Sequence, residues 1–147
     1  MPSTDDLLRL DNQLCFALVT AARNVVAIYR PILEPLGLTH PQYLVMLALW
    51  EDSPRALGEL AADLAMEPAT LSPLVKRLES QDVVTRARRA GDERVLEIGL
   101  TDSGRALRAD ALHVPEKVMA AVGMTVGDVA SLRDGLAPFA GRRPTAR

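Results

Sequence analysis

The chain has 147 residues, of which 48% are apolar and only 3% aromatic, and its formal charge is −2. That length suits a single domain able to bury a core without disulfide or metal staples, and a core of Leu, Val, Ala, Ile and Met favours helices over a strand sandwich. One cysteine excludes an internal disulfide and a cysteine-based zinc cluster, and no run of eighteen consecutive apolar residues reads as a membrane span.

Leu7, Leu10, Leu14, Leu18, Ala21, Val25, Ile28 and Ile32 recur at close to the helical period, which predicts one long amphipathic helix ending between Pro31 and Gly37. Thr39 and Gln42 then form a capping-box pattern with Pro41 in the first turn, opening a nearly all-apolar helix over 42–50. After Asp52-Ser53-Pro54, Leu57, Leu60, Ala61 and Leu64 mark a short helix, and Pro68 opens another that runs to Gln81. Leu71, Leu74, Val75 and Leu78 give this helix its inner face, leaving Thr70, Ser72, Pro73, Lys76 and Arg77 outside. Strand-like runs over 83–88 and 95–100 flank a basic loop, residues 89–94, with Gly91 suited to the tip. Thr101 or Asp102 caps a helix through Leu107, Leu112 and Val118, which Pro115 is expected to kink. A last helix starts near Thr125 with a second capping-box pattern to Asp128, and the tail after Gly141 is expected to be disordered.

Charge is spread unevenly along this series. Residues 1–67 carry 4 bases and 9 acids, residues 68–94 carry 6 and 4, and residues 95–147 carry 7 and 6. Basic charge therefore gathers on the helix from Pro68 and on the hairpin. The order of helix, helix, short helix, turn, helix and basic hairpin is that of a winged helix-turn-helix. The expected fold is mainly α with a small β-hairpin, in a single domain 1–147. Residues 39–101 would form the DNA-binding region, and residues 1–35 and 102–141 a helical dimerisation region.

In such a fold the helix from Pro68 enters the major groove. Thr70 and Ser72 would reach base edges or phosphates, Pro73 would make apolar contact, and Lys76 and Arg77 would meet phosphates. Arg94, held by Asp92 or Glu93, is shaped for the neighbouring minor groove, with Arg86, Arg88 and Arg89 along the backbone. Taken one at a time, these bases are better explained as solvated charges paired with Glu79, Asp82, Asp92 and Glu93, and it is the joint placement of helix, turn and hairpin that favours DNA.

Three motifs carry a resemblance over nearly the whole chain: Leu71-Ser72-Pro73-Leu74-Val75-Lys76-Arg77-Leu78-Glu79, the wing Asp92-Glu93-Arg94, and Leu100-Thr101-Asp102-Ser103-Gly104. On these the sequence resembles the multiple-antibiotic-resistance regulator (MarR) family, whose dimers bind palindromic double-stranded DNA through winged helices. Leu10-Asp11-Asn12-Gln13-Leu14-Cys15-Phe16 and Pro41-Gln42-Tyr43-Leu44-Val45-Met46 are further similar to its organic hydroperoxide resistance subgroup. The resemblance implies a repressor, not an enzyme. A cytoplasmic location is expected from the acidic start, Met1 to Asp6, and the lack of a membrane-length apolar run, and no cofactor or metal is expected with two histidines and one cysteine scattered along the chain. The resemblance implies Cys15 as the peroxide sensor, and a low-molecular-weight thiol as the partner that closes the cycle of a one-cysteine regulator. Tyr29 matches one of the tyrosines that assist the thiol in that subgroup, while Val19 and His40 stand where tyrosine is usual.

Cys15 and Tyr29 lie on adjacent sectors of one helix, fourteen residues and so about 21 Å apart along its axis. One chain cannot join them. Two first helices packed antiparallel would bring Tyr29 of one chain to Cys15 of the other, with His40 as imidazolium a further candidate to stabilise the thiolate. A free cysteine read without those motifs is more readily inert packing, and the motif around Cys15 reverses that. The alternative function is a repressor of the same family released by a small ligand, with Cys15 structural.

Overall fold

The structure is a computed structural model that describes residues 1–140. The tail after Gly141 lies outside the described residues. Eight α-helices and a three-stranded antiparallel sheet follow in the order α1 Thr4–Leu7, α2 Leu14–Leu33, α3 His40–Glu51, β1 Arg55–Ala56, α4 Leu57–Asp63, α5 Pro68–Ser80, β2 Val84–Arg89, β3 Asp92–Leu100, α6 Asp102–Ala111, α7 Val114–Val122 and α8 Val126–Leu136. The mainly helical fold with a basic hairpin matches the expectation from sequence.

The predicted long first helix is instead broken. Ser3 caps α1 in a reciprocal pair with Asp6, so a separate turn forms ahead of α2. Asn12 then donates to the carbonyl of Asp6, and Gln13 to those of Leu7 and Arg9. Side-chain amides thus satisfy carbonyls that a continuous helix would have bonded through its own backbone. Leucines spaced for a helix are retained across the break, which is why the period alone did not reveal it. At the other end α2 absorbs Pro31 in its last turn and passes through a short 3-10 turn, Glu34–Leu36, into Gly37. Gly37 has φ 71°, a left-handed conformation that favours glycine.

The capping box at Thr39 forms as predicted: Gln42 N–H donates to Thr39 Oγ1 at 3.4 Å, and Thr39 N–H to Gln42 Oε1 at 3.0 Å. It orients α3, whose Tyr43, Val45, Met46 and Leu49 are buried against Leu60, Leu71, Val75, Leu78 and Ile98. Each such side chain contributes on the order of 1.5–3 kcal/mol by leaving water. Strand β1 was not foreseen. It pairs through Arg55 with Ile98 and Ala56 with Glu97, making the sheet order β1-β3-β2. Arg55 is largely buried and paired with Asp63 of α4, so a charge pins β1 to that helix.

The hairpin is longer than expected. Its strands extend to an Arg89–Asp92 pair, leaving Ala90 and Gly91 as the turn, and the register shifts between Arg88 and Arg89. Pro115 breaks the helix rather than kinking it. It sits in the first turn of α7, where its missing N–H costs nothing, so α6 and α7 are separate. Thr101 caps α6 through the Gly104 N–H at 3.0 Å. Gly104 is buried where a Cβ would lie 2.0 Å from the Val83 carbonyl oxygen, and its own carbonyl accepts from Trp50 Nε1 at 2.9 Å. Two elements distant in sequence thereby close on the hairpin's base.

Helices α2 and α8 cover little of this core. Leu14, Phe16, Val19, Val25 and Val26 on α2 are exposed, as are Leu132 and Phe139 at the C-terminal end. By length and composition alone, Leu14–Leu36, with a mean hydropathy of 1.3, could cross a membrane.

Candidate nucleic-acid interface and thiol site

Helix α5 is positioned from below by Leu71, Val75 and Leu78, all fully buried. The spacing that buries them turns Thr70, Pro73, Lys76 and Arg77 to solvent, with Ser72 half-buried at the edge. None of these outward side chains is joined to a carboxylate among the described residues. At the end of α5, Gln81 donates to the Gly37 carbonyl at 3.1 Å, which ties the helix to the turn after α2.

The hairpin's arginines divide into two kinds. Arg86 Nε donates to Glu79 at 3.2 Å and Arg89 Nε to Glu97 at 2.6 Å, so these two brace the wing against α5 and against itself. Arg88 is exposed, with no ion pair among the described residues. At the tip, Asp92 Oδ1 accepts from both the backbone N–H and the Nε of Arg94, at 3.2 and 3.1 Å. Of the two acids the sequence offered, Asp92 holds the arginine. The Arg94 side chain nevertheless remains 91% exposed, a cation aimed outward on a short leash.

Cys15 is a free, exposed thiol at the second residue of α2, where first-turn amide N–H groups lack helical partners. Tyr29 lies about four-fifths of the way along the same helix. Its ring stands edge-on to His40 with centroids 4.9 Å apart, and 5.8 Å from Tyr43. The structure therefore brings Tyr29 and His40 together, and keeps both from the Cys15 of their own chain. Tyr43 belongs to the nearly all-apolar helix expected over 42–50. It is buried, but it is also the third member of this cluster, a placement that no spacing rule exposes because it depends on how α3 crosses α2.

Burial raises the Tyr29 and Tyr43 phenols above their ordinary value, the neighbouring Tyr29 adding to the effect at Tyr43, so both hold their protons at neutral pH. Burial moves His40 the other way, below 6.5. Burial thus works against the imidazolium expected at His40. The neutral ring, with one N–H to donate, is favoured at neutral pH because partial burial strips water from the charged form.

Beside this cluster runs a cleft of about 540 Å³ lined by Val26 and Arg30 of α2, His40 and Gln42 of α3, and Arg77 and Gln81 of the α5 end. It touches both α2 and the outward-facing helix. Among the described residues, no group of three or more His, Cys, Asp or Glu side chains is placed to hold a metal ion.

A helix-turn-helix with a basic wing, its second helix exposed along one polar face, defines a winged-helix DNA-binding transcriptional regulator. Residues 27–110 match the family described as Transcriptional regulator SarA/Rot. The HTH-type transcriptional regulator TtmR of Methylorubrum extorquens (strain PA1) is 44% identical over 133 residues, which is 90% of this chain and 68% of that protein. The organic hydroperoxide resistance transcriptional regulator of Bacillus subtilis (strain 168) is 35% identical over 136 residues, 92% of each chain. Among solved structures, overoxidized AbfR bound to DNA, a protein of Staphylococcus epidermidis, aligns with a TM-score of 0.76 at 32% identity, over 93% of this chain and 96% of that one. The chain belongs to the MarR/SarA-type family of winged-helix transcriptional regulators. Its relatives are regulators, not enzymes.

Proposed function

We propose that the protein is a repressor that binds palindromic double-stranded DNA as a homodimer, and that oxidation of Cys15 by an organic hydroperoxide releases it. Two copies of α5 enter successive major grooves, with Thr70, Ser72 and Pro73 toward the bases and Lys76 and Arg77 on phosphates. Arg94 enters the flanking minor groove from the wing, with Arg88 along the backbone. Arg86, paired with Glu79, contributes mainly by holding the wing. Helices α1, α2 and α6–α8 form the dimerisation region, which accounts for their exposed apolar faces without a membrane, and the regulator works in the cytoplasm.

The observation that carries the sensing reading is the placement of the only cysteine. It is exposed at one end of α2, while Tyr29, His40 and Tyr43 converge at the other. The relative that is 35% identical and called an organic hydroperoxide resistance regulator supports it. Across a dimer, the partner's phenol and imidazole N–H groups would surround the sulfur. The Cys15 thiolate attacks one peroxide oxygen, the O–O bond breaks, and with one proton the products are a sulfenic acid and an alcohol. A low-molecular-weight thiol then displaces water from the sulfenic acid to give a mixed disulfide. The added bulk separates packed helices and spoils the spacing of the two α5 helices.

A gel shift against a palindromic duplex from the promoter beside its own gene tests this reading. Reduced protein is expected to bind, protein treated with cumene hydroperoxide and a small thiol to release, and Cys15→Ser protein to stay bound under the same treatment. Release of the Cys15→Ser protein would remove the sensing role. A second reading is favoured by the cleft that joins α2 to α5: a small ligand seated there would move one helix against the other. It predicts ligand-induced release that is unchanged by Cys15→Ser.

A further inference from the structure

The C-terminal end of α5 is held on two sides by bonds of different kinds. Toward α6 the ties run through backbone. The Asp82 carbonyl accepts from Thr101 Oγ1 at 2.6 Å, the Val83 carbonyl accepts from the Thr101 N–H at 3.2 Å, and Gly104 packs on that same Val83 carbonyl where no side chain would fit. Asp82 takes φ 61°, a left-handed conformation that aspartate tolerates better than most residues, and so turns the chain into this join.

Toward α2 the polar link is a single side chain. Gln81, the C-cap of α5, donates from Nε2 to the Gly37 carbonyl at 3.1 Å, and both residues are exposed. Among the described residues, no other side-chain hydrogen bond joins α5 or its cap to α2 or the turn after it. Open space lies on either side of this link. The cleft of about 540 Å³ borders it toward Arg30 and Arg77, and a second cleft of about 500 Å³ borders it toward Ser103, Ala106 and Asp110 of α6. Gly37, Leu38 and Gln81 line both. The Gln81 amide is thus a strut across a gap, not part of a packed wall.

We infer that Gln81 is a positioning residue for DNA binding: its amide on the Gly37 carbonyl sets the tilt of α5 against α2, and it touches neither base nor phosphate itself. The inference rests on the DNA-binding reading above and adds to it the residue that connects the reading helix to the helix bearing Cys15. A change of tilt at this end moves Thr70, Pro73, Lys76 and Arg77 together. Without the strut the α6 join still anchors α5 but does not fix its angle, so only a fraction of molecules presents the DNA-fitting pose, and apparent affinity falls by that fraction. One hydrogen bond between neutral, solvated groups limits the loss to about two- to tenfold.

The test uses full-length reduced protein and a palindromic duplex from the promoter beside its own gene. Gln81→Met keeps the length of the side chain and removes the donor. It is expected to leave the urea midpoint unchanged and to raise the operator dissociation constant about two- to tenfold. In protein without DNA, hydrogen exchange read by mass spectrometry is expected to quicken at the last turn of α5, a change that loss of a direct DNA contact would not produce. Gln81→Lys, which restores a donor of similar reach, is expected to return that exchange to the native rate. Unchanged affinity in Gln81→Met overturns the inference. Weaker binding with exchange unaltered also overturns it, by making Gln81 a DNA contact, and a urea midpoint that falls with affinity overturns it by making Gln81 a stability residue. Failure of the unsubstituted protein to bind any duplex at low salt overturns the DNA-binding reading and this inference with it.

Discussion

Gly104 shows how one residue ties sequence to architecture. Its Cα faces the Val83 carbonyl so closely that any side chain must push α6 off the base of the hairpin. Gly104→Ala is therefore expected to cost about 1–3 kcal/mol of stability through overpacking, read as a lower urea midpoint. An unchanged midpoint would mean that the two elements are not in contact. His40 provides a second residue-scale test. Its folded value lies below 6.5 while the unfolded chain keeps the ordinary one, so on acidification the unfolded state takes up the proton first. The associated stability is complete above about pH 6.5 and is lost as pH falls toward the lower folded value. Urea midpoints measured from pH 8 to pH 5 should fall more steeply for the native chain than for His40→Asn, and parallel slopes would contradict the lowered value of the half-buried ring.

At the level of elements, the wing tip and α5 make separable predictions. Asp92 restrains Arg94 without burying it, so Asp92→Ala should leave folding stability within about 0.5 kcal/mol. Operator affinity should drop by about 0.5–1.5 kcal/mol, the cost of ordering a freed side chain on binding. Lys76→Ala should weaken all duplexes alike and lower the slope of log affinity against log salt by about one, as expected for one phosphate contact. A loss confined to one sequence would instead make Lys76 a base reader. Much of this was legible in the sequence. Thr39 and Gln42, Thr125 and Asp128, and the alternation of Leu71, Val75 and Leu78 are local signals, and each formed as read. The break before α2 was not legible, because Asn12 and Gln13 replace backbone bonds without disturbing the leucine period. Strand β1 carries two residues and so no period at all, and its pairing is decided by β3 some forty residues later. Tyr43 joined the aromatic cluster for the same reason: tertiary crossing, not spacing, put it there.

For the whole molecule, the exposed apolar residues of α2 and the cluster at Tyr29 have one explanation in common. A single chain leaves the apolar residues of α2 uncovered and holds its thiol at the other end of that helix from Tyr29 and His40. The proposed two-fold pair would cover the first and complete the second. The same proposed pairing would fix the two α5 helices relative to one another and so make operator affinity sensitive to a change at Cys15. The central claim is that this thiol controls DNA binding. The most direct measurement follows fluorescence anisotropy of a labelled palindromic operator while cumene hydroperoxide and a small thiol are added stepwise to the reduced dimer, with Cys15 modification read by mass spectrometry from the same samples. Bound fraction is predicted to fall in proportion to modified Cys15. Full modification with the operator still bound would contradict the account.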